Sequence, residues 1–144
     1  MRAIAAILAG FLVTLPARAT ERLAGPVEAE VLRVVDGDTL VARARIWLGQ
    51  TVETHVRLAG IDAPELRGKC AAEKAQARAA REALARLVGG GPVTLSGIES
   101  DKFGGRVLAR VSTADAQDVA AALVAGGHVR AYSGGRRTGW CGEG

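Results

Sequence analysis

Apolar and polar residues alternate along the first half of the chain, a pattern typical of strands that bury one face. The alternation is clear in residues 39–47 and again from 51 to about 60, and a less regular apolar segment, 28–35, precedes them. Turn-forming residues, Asp36-Gly37 and Gly49-Gln50, separate the three stretches. The sequence therefore predicts three consecutive strands.

After the third predicted strand, the spacing between apolar residues becomes longer. Apolar residues recur every three or four positions over residues 71–88, which predicts a long amphipathic helix, and the glycines and proline of 89–92 end it. The remaining chain predicts, in order, a strand over 93–98, a polar turn over 99–105, a strand over 106–112 and a second helix over 116–125.

The predicted order is β-β-β-α-β-β-α. Five strands, with a long helix between the third and fourth and a second helix after the fifth, fit a small Greek-key barrel of the oligonucleotide/oligosaccharide-binding (OB) type, in the mainly β, α+β class. We expect a single domain over residues 20–144. This fold by itself does not fix a function.

The first residues form a basic start, a short apolar run over 3–13 and the small-residue pattern Ala17-Arg18-Ala19. These features predict a signal peptide over residues 1–19, cleaved before Thr20. The alternative is a membrane anchor, for which the apolar run is short. We therefore expect a periplasmic or secreted protein with no stable membrane association after cleavage.

Removing the leader changes the charge balance. Loss of Arg2 and Arg18 leaves 17 basic residues against 15 acidic ones, a net charge of about +2. This net charge is compatible with a polyanionic partner. It does not by itself indicate one, so that inference depends on where particular arginines lie.

Two cysteines, Cys70 and Cys141, remain in the mature chain. In an oxidising compartment the expectation is one disulfide, and the alternative is two unpaired thiols.

Three short segments, 36–39, 57–65 and 101–106, concentrate charged residues, and each alone is explained by an ordinary turn. Together they supply three carboxylates and two guanidiniums, the groups that phosphodiester hydrolysis requires: Asp38, Asp62, Glu65, Arg57 and Arg106. A phosphodiester gathers negative charge on its non-bridging oxygens in the transition state, so fixed guanidiniums and a cation are effective catalysts.

These segments, read as VDGDT, RL(x)3DAPE and DKFG(x)R, resemble the three signature segments of the thermonuclease (staphylococcal-nuclease-like) family, over about residues 28–132. The resemblance implies a calcium ion held by Asp38, Asp62 and the backbone carbonyl of Ala63, an all-oxygen set that suits a hard cation. It also implies that Glu65 activates or orients the attacking water. Arg57 and Arg106 would grip the scissile phosphate.

The resemblance further implies a monomeric nuclease that acts on DNA, with RNA as a second expected substrate, and that leaves 3′-phosphates. Lys102, Phe103 and Tyr132 are assigned to substrate binding. Tyr132 resembles an aromatic residue that stacks on the base, which suits an enzyme with little sequence preference. The alternative for Tyr132 is an aromatic side chain that closes the barrel edge.

The chain departs from the best-known member of the family at several points. Ala63 replaces a threonine, Phe103 replaces a tyrosine, and Gly105 adds one residue to the third segment. Little chain follows for the family's third helix, and a bridge from Cys70 to Cys141 could replace that helix by tying the tail beside the active-site loop.

The main alternative function is a catalytically inactive module of the same fold that binds single-stranded nucleic acid or a protein. Such decay usually removes catalytic groups, whereas all five charged candidates are present. Among the other notable residues, Trp47 and Trp140 are predicted to be packing residues rather than base platforms. Arg136-Arg137 are predicted to be solvated, and the alternative is contact with phosphates outside the scissile position.

Overall fold

The computed structural model describes residues 20–142, so the predicted signal peptide, 1–19, lies outside the described residues. Eight strands and two helices occur within the described part: β1 (Arg22–Leu23), β2 (Val27–Val34), β3 (Thr39–Trp47), β4 (Gln50–Leu58), β5 (Ile61–Asp62), α1 (Ala71–Val88), β6 (Val93–Ser100), β7 (Arg106–Ser112), α2 (Val119–Ala125) and β8 (Arg130–Ala131). Neither helix of residues 20–142 has the combined length and apolarity needed to span a bilayer.

Five of these strands close into a barrel. They neighbour one another in the order β6-β2-β3-β4-β7, and β7 pairs again with β6. The β4–β7 pairing is parallel and the others are antiparallel. The short β1 adds a strand beside β6. The predicted OB-type barrel with two helices is confirmed.

Aliphatic side chains fill the barrel interior. The alternation in β3 and β4 places Leu40, Val56 and Leu58 inside, and Leu95 and Val111 enter from β6 and β7. Each is at most 2% exposed. Burying one such side chain contributes roughly 1.5–3 kcal/mol to folding.

Helix α1 fixes the turn between β2 and β3. A Cβ atom at Gly37 would lie 2.6 Å from the Cβ of Ala80 on the helix, so only glycine allows this approach. The turn residue that precedes Asp38 is thereby packed against the helix. The sequence predicted the helix bounds correctly, from its first residue to its last.

Two predicted boundaries are wrong. Helix α2 begins at Val119 rather than at Ala116, because the Asp118 carboxylate caps it by accepting a 2.9 Å hydrogen bond from the Ala121 backbone. Ala116 instead has a positive φ of 65° in the preceding turn. Strand β6 also continues to Ser100, which shortens the predicted turn before β7.

Trp47 is not a packing residue. Its side chain is 71% exposed, and its neighbours Ile46 and Leu48 are exposed as well. These residues lie at the tip of the β3–β4 hairpin, where the alternating sequence pattern does not lead to burial.

The chain after α2 returns to the loop that follows β4. Strands β5 and β8 pair, with Asp62 opposite Arg130. Two-residue strands carry too little pattern for the sequence to predict them. The predicted disulfide is present: Cys70, at the start of α1, is bonded to Cys141 across a Cα–Cα distance of 6.0 Å. The tail is therefore tied beside the candidate site.

Candidate functional site

A pocket of about 820 Å³ opens where the β2–β3 turn, the end of β4 and the β6–β7 turn meet. All the predicted functional residues except Asp62 line it: Asp38, Arg57, Ala63, Glu65, Lys102, Phe103, Arg106 and Tyr132. Asp62 lines an adjoining pocket of about 430 Å³, whose walls also include Ala63 and Glu65. The fold thus gathers three segments that are separate in the sequence.

Asp38 and Arg57 form a buried ion pair at the base of the pocket. The β3–β4 register places Thr39 opposite Arg57, and Arg57 Nη1 lies 2.8 Å from Asp38 Oδ2. The Ala63 backbone N–H donates to the same oxygen at 3.2 Å, and the Thr39 hydroxyl donates to Oδ1 at 2.9 Å. The Arg57 side chain is only 12% exposed, and the Asp38 side chain is 7% exposed.

Burial raises the pKa of the Asp38 carboxyl above its ordinary value, and the nearby Arg57 guanidinium opposes that rise. The contacts within the protein therefore offset only part of the cost of burying the ionised Asp38 carboxylate. A further cation next to it would favour the ionised form.

Asp62 has one satisfied and one unsatisfied oxygen. Its Oδ2 accepts a 3.3 Å hydrogen bond from the Trp140 indole N–H. Its Oδ1 is buried and accepts no hydrogen bond from residues 20–142. Arg137 Nε lies 3.1 Å from Oδ1 but is not aligned for a hydrogen bond, so this contact is an ion pair only.

Glu65 is the exposed carboxylate of the site. Arg137 Nη1 donates to its Oε1 at 3.3 Å. Its backbone N–H donates at 3.3 Å to the carboxylate of Glu73, a buried residue in the first turn of α1. Glu73 also accepts a 2.9 Å bond from the Lys69 backbone, so the helix holds the loop that presents Glu65.

Arg106 reaches the pocket despite the extra residue before it. Gly105 adopts a φ of 77°, and the Asp101 N–H donates at 3.0 Å to the Arg106 carbonyl, which closes the β6–β7 turn. Arg106 Nε donates at 2.6 Å to Asp101 Oδ2, and its guanidinium lies 4.9 Å from the centre of the Phe103 ring. Lys102 Nζ lies 5.2 Å from the same ring.

Tyr132 lines the pocket from the segment that follows β8. Its N–H donates at 2.8 Å to the Gly60 carbonyl, and its hydroxyl donates at 2.7 Å to the Gly135 carbonyl. The ring is half-buried in the pocket wall.

The oxygen groups of Asp38, Asp62 and Ala63 are of the type that a hard divalent cation takes, and these residues would be the ones to hold it. Asp62 Oδ1, which accepts no hydrogen bond from residues 20–142, is an oxygen that such a cation would satisfy. Among the described residues, three acidic or sulfur ligands come within 4.8 Å of one another only at Cys70, Glu73 and Cys141. Those cysteines are bonded to each other and offer no thiolate.

Sequence reasoning missed three residues of this site: Glu73, Arg137 and Trp140. Glu73 had a detectable signal, because an acidic residue three positions after a helix cap is typical of a helix start. Arg137 was predicted to be solvated and Trp140 to be a packing residue, yet both contact Asp62. Neither had a signal in the sequence, since each contact spans more than 70 residues.

Comparison with known proteins agrees with this geometry. A family model described as staphylococcal nuclease homologue matches residues 55–138. No curated protein matches the chain. The matched region is more than half of the 144 residues and contains Arg57, Asp62, Glu65 and Arg106. The chain therefore belongs to the staphylococcal nuclease homologue family.

Proposed function

We propose that this protein is an exported, calcium-dependent nuclease that hydrolyses phosphodiester bonds of DNA and RNA with little sequence preference. The observation that carries the proposal is the meeting of two arginines and two carboxylates, Arg57, Arg106, Asp38 and Glu65, around one pocket beside the unsatisfied oxygen of Asp62.

The two arginines would bind the scissile phosphate. Arg57 donates to Asp38 and to the Ile61 carbonyl, and Arg106 donates to Asp101 through Nε. These bonds hold each guanidinium in place while leaving further N–H groups of the same forks for phosphate oxygens. Preorganised donors of this kind stabilise the charge that develops in the transition state.

Glu65 would accept a proton from the attacking water. Its carboxylate is exposed on the pocket wall, and its backbone is held by Glu73, so it can reach a water while its main chain stays fixed. Asp38, Asp62 and the Ala63 carbonyl would hold calcium, which when bound supplies positive charge to the phosphate.

The substrate would extend along the remaining walls. The Tyr132 and Phe103 rings can stack on bases, a contact that every base can make, and Lys102 can contact a phosphate beside the scissile one. This arrangement supports activity without sequence preference.

A fluorogenic single-stranded oligonucleotide tests the proposal. We expect cleavage with calcium, none after chelation, and recovery when calcium is added back. Glu65→Gln should lower the rate by about 10²–10⁴-fold. Glu82→Gln, an exposed glutamate on α1, is the matched control and should cleave normally.

Tight binding of the oligonucleotide without cleavage, under all these conditions, would favour the inactive binding module instead. Export is tested separately: expression with the native leader should yield, outside the cytoplasm, a protein whose first residue is Thr20. The disulfide supports this part of the proposal, because such bonds persist in oxidising compartments.

A further inference from the structure

The C-terminal segment, residues 137–141, contacts Asp62 through two side chains. Trp140 donates its indole N–H to Asp62, and Arg137 places a guanidinium against the other oxygen of the same carboxylate. We propose that this segment sets the affinity of the site for the divalent cation, with Trp140 as a positioning residue that strengthens binding and Arg137 as a built-in competitor that weakens it. The inference rests on the proposed function.

Trp140 fixes the orientation of Asp62. The indole N–H engages Oδ2 at 3.3 Å, and the buried Oδ1 is then the oxygen left to a ligand. Trp140 is itself held, because the Arg130 guanidinium stacks 3.8 Å from its ring centre and donates at 3.0 Å to the Gly139 carbonyl. A hydrogen bond to a ligating carboxylate keeps it in the geometry that the ion needs.

The disulfide holds the indole at this place. Cys141, next to Trp140, is bonded to Cys70 at the start of α1, so the indole is anchored at a helix end rather than carried on a loose tail. Strand β8 anchors the segment from its other side by pairing with β5, the strand that contains Asp62.

Arg137 places its guanidinium against the Asp62 oxygen that would be left to a cation. Its Nε lies 3.1 Å from Asp62 Oδ1 and its Nη1 lies 3.3 Å from Glu65 Oε1. A cation that contacted Asp62 Oδ1 from the side of Arg137 would have to displace the guanidinium, so the arginine would compete with the ion. The side chain is 46% exposed, which leaves it free to move into the pocket mouth.

The test measures calcium binding by isothermal titration calorimetry of the disulfide-bonded protein without substrate. Trp140→Phe removes the N–H and keeps an aromatic ring, although a smaller one, and should weaken calcium binding by about tenfold. Arg137→Gln removes the competitor, and should strengthen calcium binding by about fivefold, the scale of an exposed ion pair.

Two matched variants control for composition and charge. Trp47→Phe changes an exposed tryptophan, and Arg136→Gln changes the adjacent exposed arginine, so both should bind calcium as the unmodified protein does. Circular dichroism checks that Trp140→Phe is folded. If that variant does not fold, the proposal is tested by comparing the calcium affinities of Arg137→Gln and Arg136→Gln alone.

Opposite shifts for Trp140→Phe and Arg137→Gln, with unchanged controls, support the proposal. Unchanged affinity in Arg137→Gln, or a shift in the other direction, overturns it while leaving the nuclease proposal intact. Failure of the unmodified protein to bind calcium overturns both the cofactor assignment and this inference.

Discussion

Two arginine–carboxylate clusters are centred on neighbouring strands, one on Arg43 of β3 and the other on Arg57 of β4. Arg43 on β3 lies 2.8 Å from Glu53 and 3.2 Å from Glu30, and Arg57 on β4 lies 2.8 Å from Asp38. The contact distances are alike. The Arg43 side chain is 42% exposed on the outer face of the barrel, whereas Arg57 is 12% exposed at the base of the pocket.

The difference in burial changes what the same chemistry can do. Water screens the outer cluster, so its net contribution to folding is small. The inner pair lies in a partly dry site, where a guanidinium would interact more strongly with a phosphate and would already be in position. The comparison teaches that burial at the pocket, rather than the presence of an ion pair, distinguishes a candidate catalytic arginine from a surface one.

The largest effect is expected at the inner pair. Arg57→Ala should lower the cleavage rate by about 10³-fold, because it removes a preorganised donor to the phosphate. Arg57→Lys should restore little, since an ammonium lacks the planar fork. Oligonucleotide cleavage measures both, with thermal unfolding as the folding check. Near-normal cleavage by a folded Arg57→Ala protein would remove this residue from the catalytic set.

A somewhat smaller loss, about 10²-fold, is expected for Arg106→Ala. Arg106 lies on the β6–β7 turn and is more exposed than Arg57, at 26%, so it is a weaker donor. The same oligonucleotide cleavage assay measures this loss. A loss confined to KM would assign Arg106 to substrate binding rather than to the transition state.

Asp101→Asn should reduce cleavage by about tenfold through Arg106, because it weakens the 2.6 Å contact that orients the guanidinium. Asp101 is a positioning residue, so Asp101→Glu, which keeps the charge, should recover part of the activity. The ratio of the two rates is the informative measurement, and equal rates would show that the ion pair does not orient Arg106.

The smallest effect is expected at the outer cluster. Arg43→Ala should leave cleavage unchanged and lower the free energy of unfolding only slightly, because water screens the ion pairs that it removes. Chemical denaturation measures the stability change. A large loss of activity here would contradict the idea that burial at the pocket separates the two clusters.

Much of the fold was readable from local pattern. The alternation in residues 39–47 and the helical period in 71–88 predicted β3 and α1 at their observed bounds. Both patterns depend on which face of one element is buried, and that information is contained in consecutive residues. The β5–β8 pairing escaped prediction because two-residue strands have no period to detect.

The candidate site, like the fold, was only partly predictable from the sequence. The sequence alone determined the chemical inventory, with Asp38, Arg57, Asp62, Glu65 and Arg106 in three segments, and the two cysteines able to form one bond. Residue types and short spacings are local properties, so they survive without coordinates.

Tertiary structure alone decided that Asp38, Arg57, Glu65 and Arg106 share a pocket, with Asp62 in the adjoining one. It also decided that Arg137 and Trp140 reach Asp62 from the tail. The Asp38 pKa shift likewise depends on burial and on a partner 19 residues away. The physical reason is that barrel closure, the β5–β8 pairing and the disulfide bring together atoms whose separation along the chain carries no distance information.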